Sequence, residues 1–387
     1  MAADAPVLVF VGTKAQFIKT APVLVEMDRR AIPYRLVYTG QHSETFDALE
    51  AAFGTRGADD NLVPGTEADS AGGLLTWSWR FARAAASRVR RGEWRGARWG
   101  LVHGDTASTL LSAIALRLAG VPVVHVEAGL RSPRRLDPFP EELIRRMVSR
   151  LASLHLAPDA AGVANLRGVA GRVVDTGGNT LRDAVSLAIS TLGATPTRGG
   201  EGGYAIVSMH RAENVLDRAR FDSLLGHVVA ASRAMPVNFV LHPVTRRRLA
   251  DTGWLDRLLK EPGLTLSERT DHAGFVRLMV GASCLLTDGG SNQEEAAMLG
   301  LPTLLLRLAT ERADGLADGT VVLSRLDAET IDAFIARHAG ATWPLATVSG
   351  HSPSARVVDA ISGQAPEAEA SAASSTSHAS AQSGTRA

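Results

Sequence analysis

LVHGDTASTLLSAIALRLAGVPVVHVEAGL, residues 101–130, decides the fold. LVHGD (101–105) and VPVVHVE (121–127) are short β-branched runs, and TASTLLSAIALRLAG (106–120) between them is rich in alanine and leucine, which favour helix. Strand, helix and strand in that order read as a crossover unit of parallel sheet. Both strands end in a carboxylate, Asp105 and Glu127, where the apolar run gives out.

The alternation extends in both directions. VLVFVG (7–12) and YRLVYTG (34–40) precede it and LHLAP (154–158) follows. The pattern then starts again with VVDTG (173–177), YAIVSM (204–209), NFVLHP (238–243), GLTLSE (263–268), CLLTDGG (284–290), PTLLLR (302–307) and TVVLS (320–324). A chain of 387 residues exceeds the size at which a single core usually stops growing, so two domains are expected. The reading is α/β, with two Rossmann-like parallel-sheet domains facing a central cleft. Residues 1–170 form the N-terminal domain and 171–345 the C-terminal, nucleotide-binding domain; 346–362 are a helical segment. TLGATPTRGGEGG (191–203) is a boundary by composition, or a surface loop inside the second domain. The tail, 363–387, is mostly alanine and serine and is expected to be disordered.

A formal net charge of +1 gives no broad positive field, which argues against nucleic-acid binding. The single cysteine, Cys284, excludes a disulfide within the chain and suits a core position in a reducing compartment. No signal peptide and no apolar stretch long enough for a membrane span are visible, so a cytoplasmic protein is expected.

The polar clusters all follow strands, where open α/β folds bind ligands. In VGTKAQFIKTAPVL (11–24), Gly12 permits a tight turn and Thr13 can cap a helix expected from near Gln16. Such a helix start suits a phosphate or carboxylate, and Lys14 adds a positive charge. Asp105 is either a helix N-cap or a working acid. Glu127 is a buried acid that needs a partner. Glu141 and Glu142, after Pro140, complement a helix dipole, and one of them need do no more. SMHRAEN (208–214) offers His210 for proton transfer or for donation to a phosphate. In TDGGSNQEEAAMLG (287–300), Gly289 and Gly290 allow close backbone approach at a helix start that can hold a diphosphate. Glu294 or Glu295 could then accept from a ribose diol. Thr310 and Arg312 of TER are set to meet the same anion. No H-E-x-x-H helix or zinc-like spacing is present, so no metal and no cofactor are expected. The absence of G-x-G-x-x-G points to a nucleotide with one base rather than a dinucleotide.

Taken together, GTKAQFIK (12–19), TGQH (39–42), HGDT (103–106), HVEAGLRS (125–132), PEE (140–142), TGGNT (176–180), HRAEN (210–214), QEEA (293–296), LGLP (299–302) and TER (310–312) resemble the non-hydrolysing UDP-N-acetylglucosamine 2-epimerases. The resemblance runs from about residue 7 to about 340. It implies the two-domain GT-B architecture, UDP and a UDP-sugar as partners, and a homodimer. It puts Asp105, Glu127, Glu141 and His210 at the acid/base positions. Lys14, His210 and Gly289 would surround the diphosphate, with Glu295 at the ribose. His42, Arg145, Gly290, Ser291, Thr310 and Arg312 complete the implied binding set, and Gln41 and His242 match residues through which some members are activated by substrate. The implied chemistry removes the C2 proton while UDP leaves, giving a 2-acetamidoglucal to which UDP adds back as a proton arrives on the other face.

This sequence departs from the family pattern at several binding positions. Lys14 stands for the common arginine, losing its bidentate fork; Ala15 and Gln16 replace proline and glutamate. TDGG replaces T-D-S-G-G, so Gly289 stands where a serine hydroxyl is usual. Ile144, Ser324 and TERAD (310–314) are further departures. An epimerase of a UDP-N-acetylhexosamine is the first expectation. A glycosyltransferase on the same scaffold, with Glu127 or Glu141 activating an acceptor, is the alternative, and a silent binding protein a third.

Overall fold

A computed structural model describes residues 5–41, 46–65, 68, 70–132, 139–191, 203–310, 312–346 and 351–363. His42, the tail from 364 and all of the 191–203 loop except its two end residues lie outside these.

Strands β1 (Val7–Val11), β2 (Tyr34–Tyr38), β3 (Asp60–Asn61), β4 (Trp99–His103), β5 (Val123–Val126), β6 (Leu154–Ala157) and β7 (Arg172–Asp175) form one sheet in the order β3-β2-β1-β4-β5-β6-β7. Strands β8 (Ala205–Ser208), β9 (Val237–Leu241), β10 (Leu264–Glu268), β11 (Cys284–Thr287), β12 (Thr303–Leu305) and β13 (Val321–Leu323) form the second, in the order β10-β9-β8-β11-β12-β13. Every pairing is parallel. Helices cover both faces, which is why β1, β5 and β11 are buried along their whole length and read as unbroken apolar runs. The expected GT-B architecture is what the chain adopts.

Strand order reverses between β1 and β4 in the first sheet and between β8 and β11 in the second. Crevices beyond the strand ends at such switch points are where this class of sheet holds ligands. The four loops that leave those strands carry Gly12–Lys14, Gly104–Asp105, His210 and Gly289, in that order.

Local chemistry sets where the helices begin. Helix Lys14–Arg29 starts two residues before the expected Gln16, because the Thr13 hydroxyl accepts from the Gln16 N–H as its N-cap. Helix Ala107–Leu118 opens with a reciprocal capping box between Thr106 and Thr109. Asp105 is therefore not the cap, and its carboxylate is left for other work.

The domain boundary at 170/171 falls one strand early. β7 pairs with β6 in register from Leu154↔Arg172 to Ala157↔Asp175, so it is the edge of the first sheet. Helix Leu181–Ser190 buries Leu181, Ala184 and Val185 against Ile206 and Val276 of the second domain. The chain thus crosses between domains at residues 176–180. Among the described residues of the C-terminal segment, Pro353–Ser362 is the helix. It returns to the first domain, where Val357, Val358 and Ile361 join the core beneath helix Lys14–Arg29 and Arg30 pairs with Asp359. The two crossings lie side by side: Asp183 accepts from the Ser352 hydroxyl at 2.9 Å and the Ser354 N–H at 2.7 Å.

Candidate active site

A cavity of about 660 Å³ opens between the domains. Lys14, Ala15 and Ile18 of the first domain line it, facing His210, His242, Gly289, Gly290, Ser291 and Glu295 of the second. Seven positions expected to bind or react therefore meet in one space. Helix Gly290–Leu299 begins in the cavity wall with no side-chain cap, so its first N–H groups and dipole face the opening. Arg269, Phe275 and Asn292 also line it; the sequence reading passed over all three.

The His210 ring is held from two sides. Its Nδ1 lies 3.3 Å from Oδ1 of fully buried Asp288, which also accepts the backbone N–H groups of His210 (2.9 Å) and Arg211 (3.0 Å) and the Asn214 amide (3.0 Å). The His242 ring stacks on it at 5.2 Å between centroids. Burial, aided by Arg269 and Arg211 and opposed by Asp288, lowers the His210 pKa, so the ring is neutral at pH 7. A Cβ on Gly289 would lie 2.9 Å from His210 Cε1 and 3.2 Å from Asn292 Nδ2. A side chain at 289 would therefore need the His210 ring to shift. Of the two candidate ribose acids, Glu295 lines the cavity and sits 3.4 Å from His272; Glu294 points elsewhere.

Glu127 lies just past β5 with φ of +62°, a left-handed conformation that glutamate adopts at a cost of about 1 kcal/mol or more. Its side chain is 9% exposed. Lys19 Nζ donates to its Oε1 at 2.8 Å, and the Asn179 amide donates to the same oxygen at 2.7 Å. His103 Nδ1 stands 3.6 Å from Oε2, beyond a hydrogen bond but within Coulombic reach. Burial works against the charge, yet Lys19, His103 and Arg312 outweigh it and hold the carboxyl well below the usual range. Glu127 is an anion at every physiological pH. Lys19 also reaches Glu294 of the second domain at 3.3 Å, and Arg312 pairs with Glu294 at 2.8 Å. Arg312 thus serves a carboxylate, where an anion of the ligand was expected.

The remaining expected acids form a separate group. Arg145 donates from Nε to Asp105 at 2.7 Å and from its terminal nitrogen at 2.6 Å. Glu141 opens helix Glu141–Leu151, and its Oε2 is buried without a hydrogen-bond partner among the described residues. Glu142, to which a dipole role was open, is fully buried; it accepts the Ser132 N–H at 3.1 Å and pairs with Arg146 at 2.7 Å and Arg145 at 3.4 Å. Gln41 accepts the Ser108 N–H in the first turn of helix Ala107–Leu118 at 3.1 Å, and Thr310 donates to Gln293 at 3.1 Å. Asp105, Glu127, Glu141, Arg145, Gln41, Thr310 and Arg312 do not line the cavity. Gln16, where the family has glutamate, ties β4 to its own turn: it accepts the Gly12 N–H at 2.8 Å and donates to His103 O at 2.8 Å.

Buried histidines next to this group give the fold an acid sensitivity. Burial pushes His103 and His125 down to about 4. The unfolded chain binds those protons near pH 6.5 and the folded chain refuses them until about pH 4, so stability falls as pH falls through that window. At pH 5 the expected loss is about 2 kcal/mol per ring. Melting curves at pH 7 and 5 should show a clear drop, reduced in His125→Gln. A flat profile would mean that the rings are protonated in the fold.

Among the described residues no group of three or more His, Cys, Asp or Glu is placed to hold a metal ion, and no helix is long and apolar enough to cross a membrane.

Two parallel-sheet domains meeting at their switch points, over a helix start that suits an anion, define a nucleotide-dependent protein of the two-domain GT-B class. Residues 26–353 match the family model described as UDP-N-acetylglucosamine 2-epimerase. The chain belongs to that family. It is 33% identical over 347 residues to a probable UDP-N-acetylglucosamine 2-epimerase of Ralstonia nicotianae, covering 85% of this chain and 88% of the relative. The solved structure of the Neisseria meningitidis UDP-GlcNAc 2-epimerase bound to UDP-GlcNAc superposes with a TM-score of 0.73 at 27% identity, covering 91% of this chain and 98% of that one. The Methanocaldococcus jannaschii UDP-GlcNAc 2-epimerase, at 21% identity and a TM-score of 0.74 over 92% and 99% of the two chains, shares the fold.

Proposed function

We propose that this enzyme inverts C2 of a UDP-N-acetylhexosamine, interconverting UDP-N-acetylglucosamine and its manno epimer or a close relative of that pair. The observation that carries the reading is Glu127, a strained, ionised carboxylate just past β5, bound by Lys19 and Asn179 and joined through both to Glu294 of the second domain. Family membership supports the substrate class.

In this reading UDP lies with its diphosphate on the start of helix Gly290–Leu299, near Lys14 and His210, and its ribose on Glu295. A proton leaves C2, its electron pair forms the C1–C2 double bond, and the C1–O bond breaks to release UDP as an anion. Readdition reverses those changes with a proton delivered to the other face. Two acid/base groups are needed; Glu127, with Asp105, Glu141 and His210, supplies the candidates. Closure of the domains keeps water from the glucal. Cytoplasmic residence and a homodimer belong to the same reading. Exposed Leu75 and Trp79 on helix Ala71–Arg91 support an apolar contact face, and a solution mass of one chain would rule the dimer out.

NMR in D2O with UDP-N-acetylglucosamine and no acceptor tests the reaction. Deuterium at C2 and growth of the manno sugar are expected, because the abstracted proton mixes with solvent while the glucal is enclosed. UDP release that requires an acceptor, with C2 untouched, would assign a glycosyltransferase instead, since transfer breaks only the C1–O bond.

A further inference from the structure

Glu127 and Glu294 come from different domains, yet they share the same donors. Lys19 Nζ is 2.8 Å from Glu127 and 3.3 Å from Glu294, and the Asn179 amide donates to the two carboxylates at 2.7 and 3.0 Å. Arg312 closes the group on the Glu294 side at 2.8 Å. Two anions and two cations balance. The groups facing this pair are Lys19, His103, Arg312 and, next to Glu294, Asp314.

We infer that Glu294 is a positioning residue for Glu127: the second carboxylate on Lys19 and Asn179, it takes over their charge and hydrogen bonds when Glu127 accepts a proton. Without it, protonating Glu127 would strand a buried ammonium with no anion, which is strongly unfavourable. With it, Lys19 keeps a partner throughout, and the cost of protonating Glu127 is lowered. The two carboxyls then titrate as a pair. Burial and the neighbouring anion already hold Glu294 above the ordinary glutamate value, against the pull of Lys19 and Arg312, while Glu127 is held below it.

The placement of Glu294 also ties proton transfer to the nucleotide. Gly290, Ser291, Asn292 and Glu295 of its helix line the cavity, while Glu294 turns away into the Glu127 group. Lys19 and Asn179 hold Glu294 in this structure, so the helix whose start lines the cavity also carries the second carboxylate.

This inference rests on Glu127 acting as a base in the proposed reaction, so the test has one arm that needs no turnover. Carbon NMR of the UDP-loaded protein, labelled at glutamate carboxyls, follows Glu294, assigned by its loss in Glu294→Gln. Its titration is expected above the ordinary range in the wild type and should fall in Glu127→Gln, where Lys19 and Asn179 are left to it alone. An unmoved titration overturns the sharing whatever the activity. In the second arm, Glu294→Gln should slow C2 exchange by about 10-fold or more with UDP affinity within about threefold, and Glu294→Asp should recover part of the loss. Normal exchange in folded Glu294→Gln overturns the positioning role. A wild type that exchanges no C2 proton sinks the epimerase reading, and the titration arm then decides the coupling by itself.

Discussion

Glu127→Gln is expected to lower the rate of C2 exchange by about 100- to 10,000-fold while leaving UDP affinity within about threefold. Glutamine keeps the size of the side chain and can still accept from Lys19, so the fold loses little. What it cannot do is take a proton at a carboxylate oxygen. The cavity that should hold UDP is lined by Lys14, His210, Gly289 and Glu295 and not by Glu127, which is why binding and turnover should separate. Calorimetry with UDP and the D2O assay on the same preparation check both halves. Near-normal exchange would make Glu127 a structural anion, and its strained backbone would then need another explanation.

Lys19→Met should cost about 3 kcal/mol or more of stability at pH 8, the scale for stranding buried charge. Methionine fills much of the same space, so the loss comes chiefly from two carboxylates left facing one another at under 10% exposure. The pH dependence identifies the cause. Without the lysine, both carboxyls have folded pKa values raised above their unfolded ones. The unfavourable contribution is then fully present above the folded values and fades as pH falls and the pair takes up protons. The gap between variant and wild type in denaturant titrations should therefore shrink from pH 8 to pH 5. Lys19 also helps to hold His103 down, so its removal eases that ring's penalty on acidification and shrinks the gap in the same direction. A gap that stays constant with pH would show that only packing had been lost.

Much of the architecture was legible because parallel strands buried on both faces leave a signature that depends only on neighbours in the chain. Each apolar run assigned to a strand forms one, and among the described residues only the two-residue β3 was not expected. The boundary at 170/171 failed for a related reason. VVDTG looks the same whether it closes one sheet or opens the next, and only its pairing with β6 distinguishes the two.

At the site, the sequence indicated which residues gather and not which of them pair. Lys14, His210, Gly289 and Glu295 meet in the cavity as expected, because a polar residue just past a buried strand has few other places to go. Asp105 was open to capping until Thr106 proved to hold that role. Lys19 and Asn179 each sat inside a quoted motif without being assigned work, and Glu294 was open only to a ribose role. Lys19 donates to Glu127 across 108 residues, and Asn179 to Glu294 across 115. The sequence by itself determined the strands and the chemistry available at each strand end, since these follow from periodicity and burial along the chain. Only the tertiary structure decided that Glu294 faces Lys19 while Glu295 faces the cavity. On a helix, adjacent residues point about 100° apart, and which of those directions meets a charge is set by the packing of the other domain.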